Sequence, residues 1–135
     1  RLSPGDIDYV ETHGTGTPLG DPIEVNALLR ALRQAPAENP LLIGSVKTNI
    51  GHTLTAAGVA GLIKVLLQMR HRQIIGNLHC STVNPLLRLE GSPFRLAQTT
   101  TAWEPRDTAG RALPLRAVGW RGTAPAPMRR APPRP

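Results

Sequence analysis

The sequence predicts an α/β domain, and two observations carry that prediction. Two short apolar runs, at 7–12 and 41–46, each end in a polar turn that carries one histidine. The turns read Val10-Glu11-Thr12-His13-Gly14-Thr15-Gly16-Thr17 and Gly44-Ser45-Val46-Lys47-Thr48-Asn49-Ile50-Gly51-His52. A stretch with helical spacing follows each of them. Strands that end in polar, glycine-rich turns are where α/β proteins place their chemistry. His13 and His52 are therefore the first candidates for function.

Residues 7–12 read as the first strand. Asp21-Pro22-Ile23-Glu24 then reads as a helix start, with Asp21 at the N-cap, Pro22 at the first helical position and Glu24 completing a capping box. Val25, Leu28, Leu29 and Leu32 follow at i, i+3, i+4 and i+7, one apolar helix face. Pro36 and the polar stretch to Pro40 end that helix. Residues 41–46 form the second strand and 47–52 the second turn. A helix is predicted over about 55–72. It is apolar on nearly every side, the pattern of a helix enclosed by a larger body. Gly58 and Gly61 predict close approach to neighbouring backbone, each costing about 1 kcal/mol relative to Ala. Residues 73–104 read as loop-rich, with short strands at 73–78 and 94–99. Beyond Asp107 periodicity fades, with strand character kept at 113–120. Residues 124–135 are Ala/Pro/Arg-rich and are expected to be disordered.

The net charge of +7 is unevenly placed. Residues 1–104 hold nine Lys+Arg against eight Asp+Glu, whereas 105–135 hold seven Arg, one Asp and seven of the fourteen prolines. The basic character thus belongs to the tail. With aromatics at 3%, base-stacking platforms are scarce, and a nucleic-acid partner is not expected. Cys80 is the single cysteine, so no disulfide forms within one chain. A reducing, cytoplasmic setting fits that usage. No apolar run reaches the roughly 18 residues of a membrane-spanning helix. The chain opens on Arg1 directly before a strand, which suggests a piece of a longer protein.

The two histidine motifs carry a resemblance. Val10 to Glu24, with its Thr12-His13-Gly14-Thr15-Gly16-Thr17-Pro18-Leu19-Gly20-Asp21-Pro22-Ile23-Glu24 stretch, and Gly44 to His52 together resemble the C-terminal half of a β-ketoacyl synthase. The match is best to ketosynthase domains of modular type I polyketide synthases. Asn77-Leu78-His79 and Asn84-Pro85 resemble the stretch that follows in those domains. The resemblance covers residues 2–104. It implies a thiolase-like α/β fold, of which this chain is the C-terminal half: a mixed sheet with a buried helix, followed by an irregular basic tail. It also implies a reaction, the decarboxylative Claisen condensation of an acyl group on a cysteine with a malonyl-type unit on an acyl carrier protein.

That chemistry explains the residue types. Loss of CO₂ from a malonyl thioester leaves enolate charge on the thioester oxygen, which imidazole N–H donors stabilise. Histidine donates while neutral and moves protons near pH 7. His13 and His52 match the two family histidines, and Lys47 matches the family lysine. A buried ammonium needs a partner, and Glu24 is the expected one. Asp21 is expected to be a helix cap. Thr15 and Thr17 resemble residues that meet the carrier's phosphopantetheine arm, with local turn bonding as the alternative. No cofactor is expected to bind directly, and no metal, since His13, His52, His79 and Cys80 lack short ligand spacing. The family nucleophile matches no residue of this chain, and Cys80 is expected to be a packed or half-exposed thiol. The expected partners are an acyl carrier protein and other synthase domains, and the parent is expected to dimerise.

The end departs from the family. Gly119-Trp120-Arg121-Gly122-Thr123-Ala124 resembles the family's closing oxyanion turn imperfectly, with Trp120 in place of Phe and Arg121 in place of Gly. Residues 105–123 are therefore expected to be a degenerate closing strand and turn, and 124–135 a Pro/Arg-rich tail. Three functions fit these motifs: a fragment of a polyketide condensing enzyme, a non-catalytic remnant or interaction module, and a fatty-acid condensing domain.

Overall fold

The computed structural model describes residues 4–32 and 40–104, together with the backbone of three short strands at 107–108, 111–112 and 117–119. Trp120 and the 124–135 tail lie outside the described residues. Strand β1 (Tyr9–Glu11) leads to helix α1 (Gly20–Leu32), strand β2 (Leu41–Gly44), a one-turn helix α2 (Lys47–Ile50) and the long helix α3 (Ala57–His71). The short strands β3 (Gln73–Ile74), β4 (Phe94–Leu96), β5 (Thr101–Ala102), β6 (Asp107–Thr108), β7 (Arg111–Ala112) and β8 (Ala117–Gly119) follow.

The main sheet runs β4-β2-β1-β8 and each of its pairings is parallel. Antiparallel pairing is confined to two separate ribbons, β3–β5 and β6–β7. Side chains alternate between the faces of a strand, and here both faces are covered. Val10, Leu41, Ile43 and Phe94 join Val25 and Leu28 of α1 in one core. Tyr9 and Ala97 join Val65 of α3, Ile74 and Trp103 in the other. A parallel sheet with a helix layer on each face is the usual outcome for short, nearly continuous apolar strands. Register pairs Tyr9 with Leu42, Val10 with Ile43 and Glu11 with Gly44. On the far side Glu11 pairs with Gly119.

Helix α1 begins at Gly20, ahead of the Asp21-Pro22 start, and a hydrogen-bonded turn from Thr17 leads into it. Thr17 Oγ1 accepts from Gly20 N at 3.1 Å, and Thr17 O accepts from Asp21 N at 3.4 Å. Thr17 thus caps the turn that leads into the helix, and Pro18 sits in that turn, where a missing N–H is harmless. Pro22 also lacks an N–H, which frees the Pro18 carbonyl. Asn84 Nδ2 donates to that carbonyl at 3.4 Å from 66 residues away.

Helix α3 buries only one stripe, Gly61, Val65 and Gln68. Val59, Leu62, Ile63, Leu66 and Leu67 are 48–60% exposed. The all-round apolar helix of the sequence is thus covered on one side only in this chain. Gly61 does allow close approach, but to a side chain: a Cβ there would sit 3.1 Å from Glu11 Cγ. Gly58 faces open space. Among the described residues, no helix is long and apolar enough to cross a membrane.

Phe94 is 1% exposed at the centre of the α1-side core. Phe94→Ala is expected to cost about 3–5 kcal/mol, while exposed Arg95→Ala on the same strand should stay within about 0.5 kcal/mol. Urea unfolding midpoints measure both. Equal midpoints for the two variants would contradict this core assignment.

Candidate active site

Because β1 and β2 are parallel neighbours, the segments that leave their C-terminal ends emerge at the same edge of the sheet. The two loops are also tied together. Thr12 N and Thr12 Oγ1 both donate to Gly44 O, at 2.7 and 2.9 Å. Ser45 Oγ donates to His13 O at 3.4 Å. The outcome is a histidine pair: the His13 and His52 rings meet edge to face, with centroids 5.5 Å apart and planes at 85°.

Each loop is shaped by buried or half-buried acceptors. Glu24, one turn inside α1, accepts from His13 N at 2.6 Å and from Gly14 N at 3.0 Å. Gly14 sits at φ +47, and a Cβ there would lie 2.7 Å from Ser45 Cβ, so only glycine fits this turn. In the second loop, Asn77 Oδ1 accepts from Ser45 N at 2.9 Å, and Glu11 Oε1 accepts from Val46 N. Thr48 Oγ1 donates to Ser45 O at 3.0 Å and closes the turn. His52 Nδ1 accepts from Leu54 N at 3.0 Å. In a neutral ring that arrangement leaves the proton on Nε2, the nitrogen free to donate elsewhere.

The other predicted residues are placed as follows. Lys47 is half-buried at the start of α2. The Glu24–Lys47 ion pair expected from the sequence does not form. The ion pairs among the described residues are Lys64–Glu11 and Arg72–Glu104. Glu24 is instead taken by two backbone N–H groups that the Gly14 turn aims at it. Asp21 does not cap the helix. It reaches back to accept from Gly16 N at 3.1 Å, because Thr17 already holds the cap. Thr15 Oγ1 and Thr17 Oγ1 lie 3.3 Å apart and bond to each other. Gly119 ends β8, beside Glu11 at the same sheet edge.

Cys80 is half-buried next to a small cavity of about 110 Å³ that Asp21 and Glu24 also line. Burial first, and then the Asp21 charge, push its thiol pKa up. An activated thiolate needs the opposite environment. His71 lies at the end of α3, and His79 is exposed at φ +55.

The sequence reading missed a buried polar cluster behind the loops. Lys64 and Glu11 have side chains only 9% and 6% exposed, and their charges meet at 3.1 Å. Tyr9 Oη donates to Glu11 Oε2 at 2.6 Å and accepts from Lys64 Nζ at 2.9 Å. Burial pushes the Lys64 pKa down, against the pull of Glu11 in the other direction. Burial, then the Glu11 charge, drive the Tyr9 hydroxyl far above its ordinary range. The available signal was Lys64 itself, the one charge inside α3 before its last turn.

Comparison with known proteins identifies the family. The family model "Beta-ketoacyl synthase, C-terminal domain" matches residues 1–81. The chain belongs to the β-ketoacyl synthase family. It is 53% identical over 105 residues to the polyketide synthase ThaG of Burkholderia thailandensis, a match covering 76% of this chain and 2% of that protein. It is 47% identical over 125 residues to the polyketide synthase PksN of Bacillus subtilis, covering 86% of this chain and 2% of that one. Among solved structures it resembles the oxazolomycin ketosynthase domain OzmH KS7 of Streptomyces albus, with a TM-score of 0.81 and 48% identity, over 87% of this chain and 21% of that one. Ketosynthase twelve of the bacillaene polyketide synthase of Bacillus amyloliquefaciens gives a TM-score of 0.73 and 44% identity, over 79% and 19%. The chain therefore spans about a fifth of the solved ketosynthase chains and a far smaller share of these two synthases. The thiolase-like α/β fold expected from the motifs is the fold observed.

Tyr9 is the only tyrosine, so its ionisation can be followed directly. The unfolded chain releases this proton near the ordinary value of 10.0, whereas the folded chain retains it above that value. This group's stabilising contribution is therefore full below 10.0 and is lost as the pH rises above it. Tyrosinate absorbance is expected to appear only as the chain unfolds. An absorbance step near the ordinary value with circular dichroism unchanged would contradict the buried cluster.

Proposed function

We propose that the chain serves as the C-terminal part of a ketosynthase domain of a polyketide synthase, in which His13 and His52 stabilise the enolate formed when a malonyl-type thioester loses CO₂. The observation that carries this reading is the edge-to-face histidine pair at the sheet edge. In the reaction the bond between the carboxylate and the α-carbon breaks. Its electron pair becomes an enolate whose charge sits on the thioester oxygen. The Nε2–H of His52, oriented by the Leu54 N–H bond to Nδ1, is one donor to that oxygen. His13, held by Glu24 through its own N–H, supports the second. The carbanion then attacks an acyl thioester on a cysteine outside this chain, and the thiolate leaves.

Lys47, half-buried beside the second loop, supplies positive charge close to the developing anion. The malonyl-type unit arrives on the phosphopantetheine arm of an acyl carrier protein. Thr15 and Thr17 meet that arm, exchanging their mutual bond for bonds to it. Gly119, with Trp120 after it, belongs to the closing oxyanion turn, a role supported by β8 pairing beside Glu11. Residues 1–104 are assigned to the C-terminal part of the ketosynthase domain; 105–123 resemble a degenerate closing strand and turn, and the Pro/Arg-rich 124–135 lie outside the described residues. The rest of the domain covers the exposed apolar side of α3, which explains why that helix is apolar all round. Other synthase domains are neighbours in the same cytoplasmic assembly, and the parent domain dimerises.

The test supplies the remainder of a related ketosynthase domain to this chain and measures CO₂ release from a malonyl-loaded carrier. Release is expected, and His52→Ala should lower it by about 100-fold or more, as for other lost oxyanion donors. No release with the complement present would favour the non-catalytic reading. These 135 residues alone are expected to take no acyl group from an acyl-thioester donor, because the Cys80 environment disfavours the thiolate. Acylation of Cys80 would overturn that assignment.

A further inference from the structure

The two histidine loops leave different strands, and one side chain spans both. The main chain of Glu11 ends β1 and reaches His13 two residues later. Its carboxylate crosses to the other loop, where Oε1 accepts from Val46 N. Val46 is the N-cap of α2, and no side chain caps that helix. The Val46 carbonyl in turn accepts from Asn49 N at 2.9 Å and Ile50 N at 3.2 Å, and Lys47 O accepts from Gly51 N. The orientation of the Val46 peptide therefore sets the direction of a single helical turn, and that turn delivers Lys47 and then His52.

We propose that Glu11 is the positioning residue of the histidine pair, fixing the second loop relative to the first through the Val46 N–H. Three features suit it to that task. Its second oxygen is held by Tyr9 Oη and Lys64 Nζ, so the carboxylate cannot swing away. Val46 is buried, and a buried N–H left without an acceptor is costly, so the bond is retained. Gly61 leaves the space that the Glu11 side chain needs. The effect of this residue on rate rests on the proposed enolate role of the pair. Its effect on geometry does not.

The competing explanation is that Glu11 only neutralises buried Lys64, and two double variants of the full chain separate the two. Glu11→Gln with Lys64→Met removes both charges and keeps an acceptor for Val46. Glu11→Leu with Lys64→Met removes the acceptor as well. Nuclear magnetic resonance reads Val46 amide exchange and ring-to-ring contacts between His13 and His52. The Gln variant is expected to keep both signatures. The Leu variant is expected to lose the ring contacts and to exchange Val46 at least about tenfold faster, as a local opening would. Ring contacts retained in the Leu variant, or lost in the Gln variant, would overturn the proposal. Should the Leu variant not fold, the Gln variant still decides, together with the parent chain. A parent Val46 amide that exchanges as fast as an unstructured peptide is equally fatal.

In the complemented domain, the Leu variant should lower kcat for decarboxylation by about 100-fold, the usual effect of a small misplacement. KM should stay within about twofold, since ground-state binding is untouched. If the complemented parent chain releases no CO₂, the function reading fails while the resonance measurements still decide the role of Glu11.

Discussion

Much of this structure depends on where the carboxylate of Glu11 sits. It lies at the end of a strand flanked by β2 and β8, buried, and bonded to Val46 N, Tyr9 Oη and Lys64 Nζ. Placing two charges in an interior is expensive, and their attraction offsets the expense only when the remaining polar sites are satisfied. Here the carboxylate has three partners and the ammonium two. The cluster ties three elements into one unit: β1 through the residue itself, α3 through Lys64, and the start of α2 through Val46.

A second carboxylate has a parallel role on the opposite side. Glu24 projects from α1 and takes the N–H groups of His13 and Gly14. The two histidine loops are thus each held by an acidic side chain acting on the backbone. Neither carboxylate bonds to an imidazole. The loops are rich in Gly, Thr, Ser and Asn. Their short polar side chains bond across loops, as Thr12 does to Gly44 O and Ser45 to His13 O.

The two faces of the sheet differ in completeness. On the α1 side, Phe94, Leu41, Val10 and Leu28 form a closed core, with the short helix at Pro85–Leu87 packed against α1. On the α3 side, the helix covers the sheet with one stripe and turns a broad apolar surface outward. The solved ketosynthases that this chain resembles are about four times longer. An apolar helix with a single covered stripe is what part of a larger domain displays.

The histidine turns, the α/β class and the apolar face of α1 were legible in the sequence because each is local. Val25, Leu28, Leu29 and Leu32 declare their face by spacing alone, and all four pack where the spacing puts them. The helix start was not legible, because Thr17-Pro18 and Asp21-Pro22 satisfy the same local rule. Asn84, far away in sequence, satisfies the carbonyl that the earlier start leaves free. The partners of the charges were not legible either. Glu24 turned to backbone N–H groups rather than Lys47, and Glu11 found Lys64 across 53 residues. Periodicity and capping are properties of neighbouring residues, so a chain states them by itself. Which carboxylate meets which N–H or ammonium depends on how strands and helices stack, and only the folded chain decides that.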